Sequence, residues 1–124
     1  MRWQTHRYAP APGTRLCHTD AIPDGACTEL RYGSDDAAFG LLLYRRGGEI
    51  RVYVNSCPHF SLPLNARPNQ FLLLPDDCLM CAWHSAVFRL EDGYCIDGPA
   101  KGSTLGRVPV HVVDGQIFIG ESSA

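Results

Sequence analysis

Two short cysteine and histidine pairs constrain this chain more than any other feature. They are Cys57-Pro58-His59 and Cys81-Ala82-Trp83-His84, with twenty-one residues between His59 and Cys81. Each pair offers one thiolate and one imidazole, so a fold that uses both must bring two loops to one point. A Cys-x-His and a Cys-x-x-His suit a 2Fe-2S centre in which two thiolates hold one iron and two imidazoles hold the other. The rival reading takes Cys78 with Cys81 as a Cys-x-x-Cys zinc or redox pair. Against it, Cys57-x-His59 is tighter than usual zinc-finger spacing, and choosing Cys78 leaves one good ligand idle.

The stretches CPHFSLPLN, CAWHSAVFRLEDGYCIDGP and LGRVPVHVVDGQIFI resemble the Rieske 2Fe-2S family, over roughly Leu16 to Ile119. The resemblance implies an all-β fold, an antiparallel barrel or sandwich carrying a small cluster-binding subdomain at about 55–98. It implies one 2Fe-2S cluster per chain, with Cys57 and Cys81 on the buried iron and His59 and His84 on the outer one. Imidazole ligation raises the potential above that of an all-cysteine cluster. The implied activity is one-electron transfer rather than catalysis, from a flavin-dependent ferredoxin reductase to an oxygenase or similar terminal enzyme.

Neighbouring positions place the chain within that family. Respiratory members carry an extra cysteine in each ligand loop, joined by a disulfide; here the matching residues are Leu62 and Trp83. Those members also place hydroxyl donors where this chain has Ala86 and Phe88, neither of which can donate. Both differences point to the lower end of the roughly −150 to +300 mV range of such centres. Trp83 is expected to shield the cluster and pack between the loops. Gly98-Pro99 matches the proline-bearing third loop that covers the cluster, whereas Ser85 stands where the family usually has Gly.

Length and composition agree with a single β-rich domain over 1–124. There are thirteen acidic and eleven basic residues, for a formal charge of −2, which recruits neither nucleic acid nor an anionic membrane. No apolar run approaches the about eighteen residues of a membrane span, and MRWQTHRYAPAPG lacks the apolar centre of a secretory signal. A cytoplasmic location follows as the expectation, and with it reduced thiols for Cys17, Cys27, Cys78 and Cys95.

Turn chemistry punctuates the chain. Residues 1–13 read as an extended arm, with Trp3 and His6 as surface residues. Strands are expected at Leu16 to His18, Ala26 to Tyr32, Phe39 to Tyr44, Ile50 to Val54, Ala86 to Leu90, Tyr94 to Ile96, Val108 to Val113 and Gln116 to Gly120. Gly47-Gly48, Glu91-Asp92-Gly93 and Asp114-Gly115 supply hairpin turns. Arg45 and Arg46 keep the first hairpin tip soluble, with docking of an acidic partner as the alternative. Within the 65–77 insertion, Asn65 to Asn69, with Arg67-Pro68, reads as irregular, the run QFLLLPDDCLMC shows apolar residues without a clear helical period, and His18 and His111 read as structural residues.

Two other functions compete with a free carrier. One is an accessory subunit of a larger redox enzyme, resembling the small subunit of nitrite reductases. The other is an oxygenase, which needs a mononuclear iron site. The residues after the cluster loops are committed to strands and hold one histidine, so that site is not expected.

Overall fold

The strands expected from the turn signals are present, and their alternation explains how one sheet serves two cores. The computed structural model describes residues 3, 6–33, 38–58, 63–67, 69–83 and 85–120. Among them are ten strands: β1 (Arg15–His18), β2 (Cys27–Tyr32), β3 (Phe39–Arg46), β4 (Glu49–Val54), β5 (Leu72–Leu74), β6 (Cys78–Met80), β7 (Val87–Arg89), β8 (Cys95–Asp97), β9 (Val110–Val113) and β10 (Gln116–Ile119). They form three antiparallel sheets, ordered β1-β10-β9, β2-β3-β4 and β5-β6-β7-β8.

The middle sheet is buried on both faces. Side chains alternate across a strand. Phe39, Leu41 and Leu43 of β3, with Val52 and Val54 of β4, join Leu16, Val108, Ile117 and Ile119 in one core. Leu42, Tyr44 and Tyr53, from the intervening positions, join Leu79, Phe88, Leu90 and Cys95 in the other. Burial on both faces is why β3 reads as a nearly continuous apolar run instead of an alternating one. The Tyr53 hydroxyl donates to the Leu90 carbonyl at 2.7 Å, which satisfies its one polar atom inside this second core.

Gly47-Gly48 makes the two-residue turn of the β3–β4 hairpin, since Arg46 pairs with Glu49. The arginines at its tip are committed within the chain. Arg45 donates to the carbonyls of Thr19 and Ile22 at 3.3 and 3.2 Å, and Arg46 pairs with Asp77.

One expectation fails here. Among the described residues of 1–13 the tryptophan is not at the surface: Trp3 is buried and stacks on Phe39 with ring centroids 6.2 Å apart, while His6 and Ala9 donate back into turns. An indole brings about 150–250 Å² of largely apolar surface, so it closes the open end of the core. The apolar run after Asn69 supplies a hairpin that the sequence pattern did not announce. Leu72–Leu74 and Cys78–Met80 form a hairpin whose turn places Asp76 and Asp77 at φ of 65° and 55°.

Candidate metal centre

Both candidate ligand cysteines are buried in the same core. Cys57 follows the end of β4 and Cys81 follows β6, and they are 0% and 1% exposed within a contiguous cluster that includes Leu64, Ala86 and Ala100. His59, His84 and Leu62 lie outside the described residues.

The second ligand loop is tightly closed. The Cys81 N–H donates to the Ala86 carbonyl at 2.7 Å, and the Ser85 N–H donates to the Cys81 carbonyl at 3.1 Å. Closing the loop puts Ser85 at φ 59°, a left-handed conformation that explains why Gly is the commoner choice at such a position. Trp83 sits in this loop and is 51% exposed, so it does not pack between the loops as expected. The buried residues on this side of the loop are instead small and aliphatic, Ala86 and Leu64.

The third loop presses on this bend. At Gly98, φ is +90°, and a Cβ would lie 2.7 Å from Ala86 Cα and 3.0 Å from the Ser85 carbonyl oxygen. Two residues on, Ala100 enters the cysteine-bearing core while Pro99 stays exposed. The loop is held by bonds from Lys101 N–H to Gly98 O at 3.1 Å and from Cys95 N–H to Ser103 O at 2.8 Å.

Comparison with known proteins decides the family. A family model described as the Rieske [2Fe-2S] domain matches residues 14–113. The chain belongs to the Rieske [2Fe-2S] domain family. Cholesterol 7-desaturase nvd of Drosophila melanogaster is 34% identical over 85 residues, a match that spans 64% of this chain and 19% of that protein. Among solved structures, the ferredoxin of carbazole 1,9a-dioxygenase from Nocardioides aromaticivorans IC177 superposes with a TM-score of 0.69 at 17% identity, covering 90% of this chain and 100% of that one. A chain in the reduced complex between oxygenase and ferredoxin in carbazole 1,9a-dioxygenase gives 0.73 at 19% identity, over 94% of this chain and 30% of that one. The structural likenesses establish the same fold.

The Rieske cofactor is a 2Fe-2S cluster, and the donor chemistry fits it. Two thiols converge in one dry core, each close in sequence to a histidine. The zinc alternative fares worse, because Cys78 and Cys81 are three positions apart at the end of a strand and so fall on opposite faces of the sheet. Leu79, not Cys78, shares the core of Cys81, and the Cys78 thiol faces the Asp76 carbonyl at 3.6 Å. Burial raises the pKa of the Cys78 thiol.

The remaining thiols are free. Burial pushes the Cys27 thiol up to about 12, which keeps it protonated and a poor ligand. Cys95 Sγ lies 3.1 Å from the Asp97 carbonyl. The other histidines have structural partners: His18 Nδ1 accepts the Asp20 N–H at 3.0 Å, and His111 stacks on Phe118 at 5.5 Å with Nδ1 2.8 Å from the Gly120 carbonyl.

One group of site residues was missed in the sequence. Asn55 and Asn65 are buried polar side chains, each 6% exposed, at the two ends of the first ligand loop. The signal was an Asn on each side of the Cys57 loop, which reads as ordinary turn chemistry because Asn is common in turns.

Proposed function

We propose that the chain is a one-electron carrier whose 2Fe-2S cluster is held by Cys57, His59, Cys81 and His84 in a subdomain of about 55–98. It receives electrons from a flavin-dependent reductase and passes them to an oxygenase or similar terminal oxidoreductase. The observation that carries this reading is the burial of Cys57 and Cys81 in one apolar core beneath the Gly98–Ala100 loop. The matched chains in carbazole dioxygenase systems support an oxygenase as the receiving partner. Among the described residues no helix is long and apolar enough to cross a membrane.

In this reading the thiolates supply charge to the inner iron, while neutral imidazoles lower the charge at the outer one and ease reduction. The chain's own residues exclude water from the thiolate side: Leu64, Ala86 and Ala100 fill the space around it. Electron paramagnetic resonance of dithionite-reduced protein, with iron, sulfide and zinc analysis, tests the assignment. A rhombic signal with average g of about 1.9, below that of all-cysteine clusters, is expected from mixed ligation. Zinc without sulfide or signal, in protein purified anaerobically without chelators, sinks the assignment.

A second reading is favoured by the desaturase. The match spans 19% of the length of that relative, which is named a desaturase, and in this second reading the chain acts as an electron-entry module for a larger enzyme. Electron transfer in trans separates the two. A free carrier reduces a separate oxygenase with saturable dependence on carrier concentration, and an entry module does not.

A further inference from the structure

The polar side chains flanking the first ligand loop form one connected system. Asn55 Oδ1 accepts the Leu64 N–H at 2.9 Å, and the Leu64 carbonyl accepts the Ala82 N–H at 2.9 Å. Asn55 lies two residues before Cys57, and Ala82 directly follows Cys81. One carboxamide oxygen therefore connects the entry of the first loop to its return and, through the one residue Leu64, to the second loop.

The amide nitrogen anchors that connection to the scaffold. Asn55 Nδ2 donates to Asn65 Oδ1 at 2.7 Å and to Glu29 Oε2 at 3.3 Å. Asn65 Nδ2 donates to the Arg67 carbonyl at 2.8 Å. Glu29 is itself fixed by a reciprocal pair, accepting the Asn69 N–H at 2.9 Å and donating its own N–H to Asn69 Oδ1 at 2.7 Å. Gly40 of β3 lies against Asn55, whose backbone N–H donates to the Gly40 carbonyl at 2.9 Å. Both N–H groups of the amide have acceptors and its oxygen has a donor.

We propose that Asn55 is a positioning residue for the cluster, a single carboxamide that sets the spacing of both ligand loops against the middle sheet. A buried, hydrogen-bonded polar network fixes geometry in a way that apolar packing does not, since apolar contacts tolerate sliding and directional bonds do not. The inference rests on the ligand assignment proposed above, and its consequence is that the network tunes the cluster's electronic signature as well as the loop's stability.

The test compares wild-type cluster-loaded protein with Asn55→Leu, Asn55→Asp and Asn65→Ala. Hydrogen–deuterium exchange by mass spectrometry reads segments 63–67 and 81–86, and electron paramagnetic resonance reads the g-values after reduction. Asn55→Leu is expected to speed exchange in both segments about ten-fold, the order of effect of orphaning a buried backbone donor, and to move the g-values. Asn55→Asp keeps the oxygen for the Leu64 N–H and is expected to retain wild-type g-values while losing thermal stability to Glu29. Wild-type g-values in Asn55→Leu overturn the proposal, as does Asn55→Asp shifting the signal as far as Asn55→Leu does. If Asn55→Leu does not load a cluster, Asn65→Ala carries the test, and unchanged exchange in both segments overturns the proposal. A wild-type protein with no iron signal instead defeats the ligand assignment, and the exchange data still report whether the loops are coupled.

Discussion

Replacing Gly98 with alanine tests whether the third loop is seated on the second ligand loop by close backbone approach. The neighbouring Gly102 is a built-in control: its φ is +92° against +90° at Gly98, yet nothing lies within 4 Å of its would-be Cβ. Gly102→Ala should therefore cost only the positive-φ penalty, about 1–2 kcal/mol. Gly98→Ala carries the same penalty plus a contact of 2.7 Å with Ala86 Cα, where ordinary contact begins at 3.4 Å. The loop must retreat by the difference, 0.7 Å, or strain in place. Overpacking of this kind adds about 1–3 kcal/mol, which separates the two variants by roughly 4–12 °C in Tm for a chain of this size. Thermal unfolding followed by circular dichroism measures the gap, and loss of the visible absorption band in chelator measures how fast the cluster departs. Gly98→Ala should unfold earlier and release its cluster faster. Equal Tm values for the two variants would refute the close-approach argument.

Three further outcomes are expected. Cys81→Ser should abolish the mixed-ligand signal and Cys17→Ser should leave it intact; a bleached Cys17→Ser protein makes the ligand assignment wrong. Cys27 titrates near 12 instead of its ordinary 9.0, and Tyr53 near 12 instead of 10.0, both because burial disfavours the charged form. Raised values mean that this stability is fully present below about pH 9 and is lost as pH climbs from about 9 to 12, at ~1.4 kcal/mol per unit for each group. Urea titrations across that range should show the slope, and Cys27→Ala should flatten its first part. Finally, Ala86 is fully buried in the core of both cysteines, so Ala86→Ser should raise the reduction potential if its hydroxyl reaches sulfur. One net hydrogen bond of about 1 kcal/mol corresponds to roughly 40 mV for one electron, and an unchanged potential in redox titration rejects that contact.

Much of the fold was legible because its turns use Gly. Gly47, Gly93 and Gly115 each adopt positive φ at or beside the expected hairpin, and the runs they separate carry the β-branched and aromatic residues that suit strands. The β5–β6 hairpin escaped notice because its turn, Pro75-Asp76-Asp77, puts two aspartates in the left-handed region, and its strands are three residues each. Spacing announced the cysteines of the site. Their setting was not announced, since the value of Asn55 depends on Leu64 and Asn65 from one other segment and Glu29 from another. Trp83 misled for a related reason: an aromatic beside a ligand suggests a shield, but the buried residues on this side of the loop are Ala86 and Leu64.

The order of strands also bears on how such a protein matures. β1 closes its sheet only against β10, with Arg15 opposite Phe118, whereas β2, β3 and β4 pair in sequence as hairpins. During synthesis the middle sheet and both cysteine loops emerge before the strand that seals the outer sheet, and long-range closure of this kind is slow. Cys57 and Cys81 lie in the core on the other face of the middle sheet, so this late closure completes the core of Leu16, Ile117 and Ile119 and leaves the packing around the two thiols to strands made earlier.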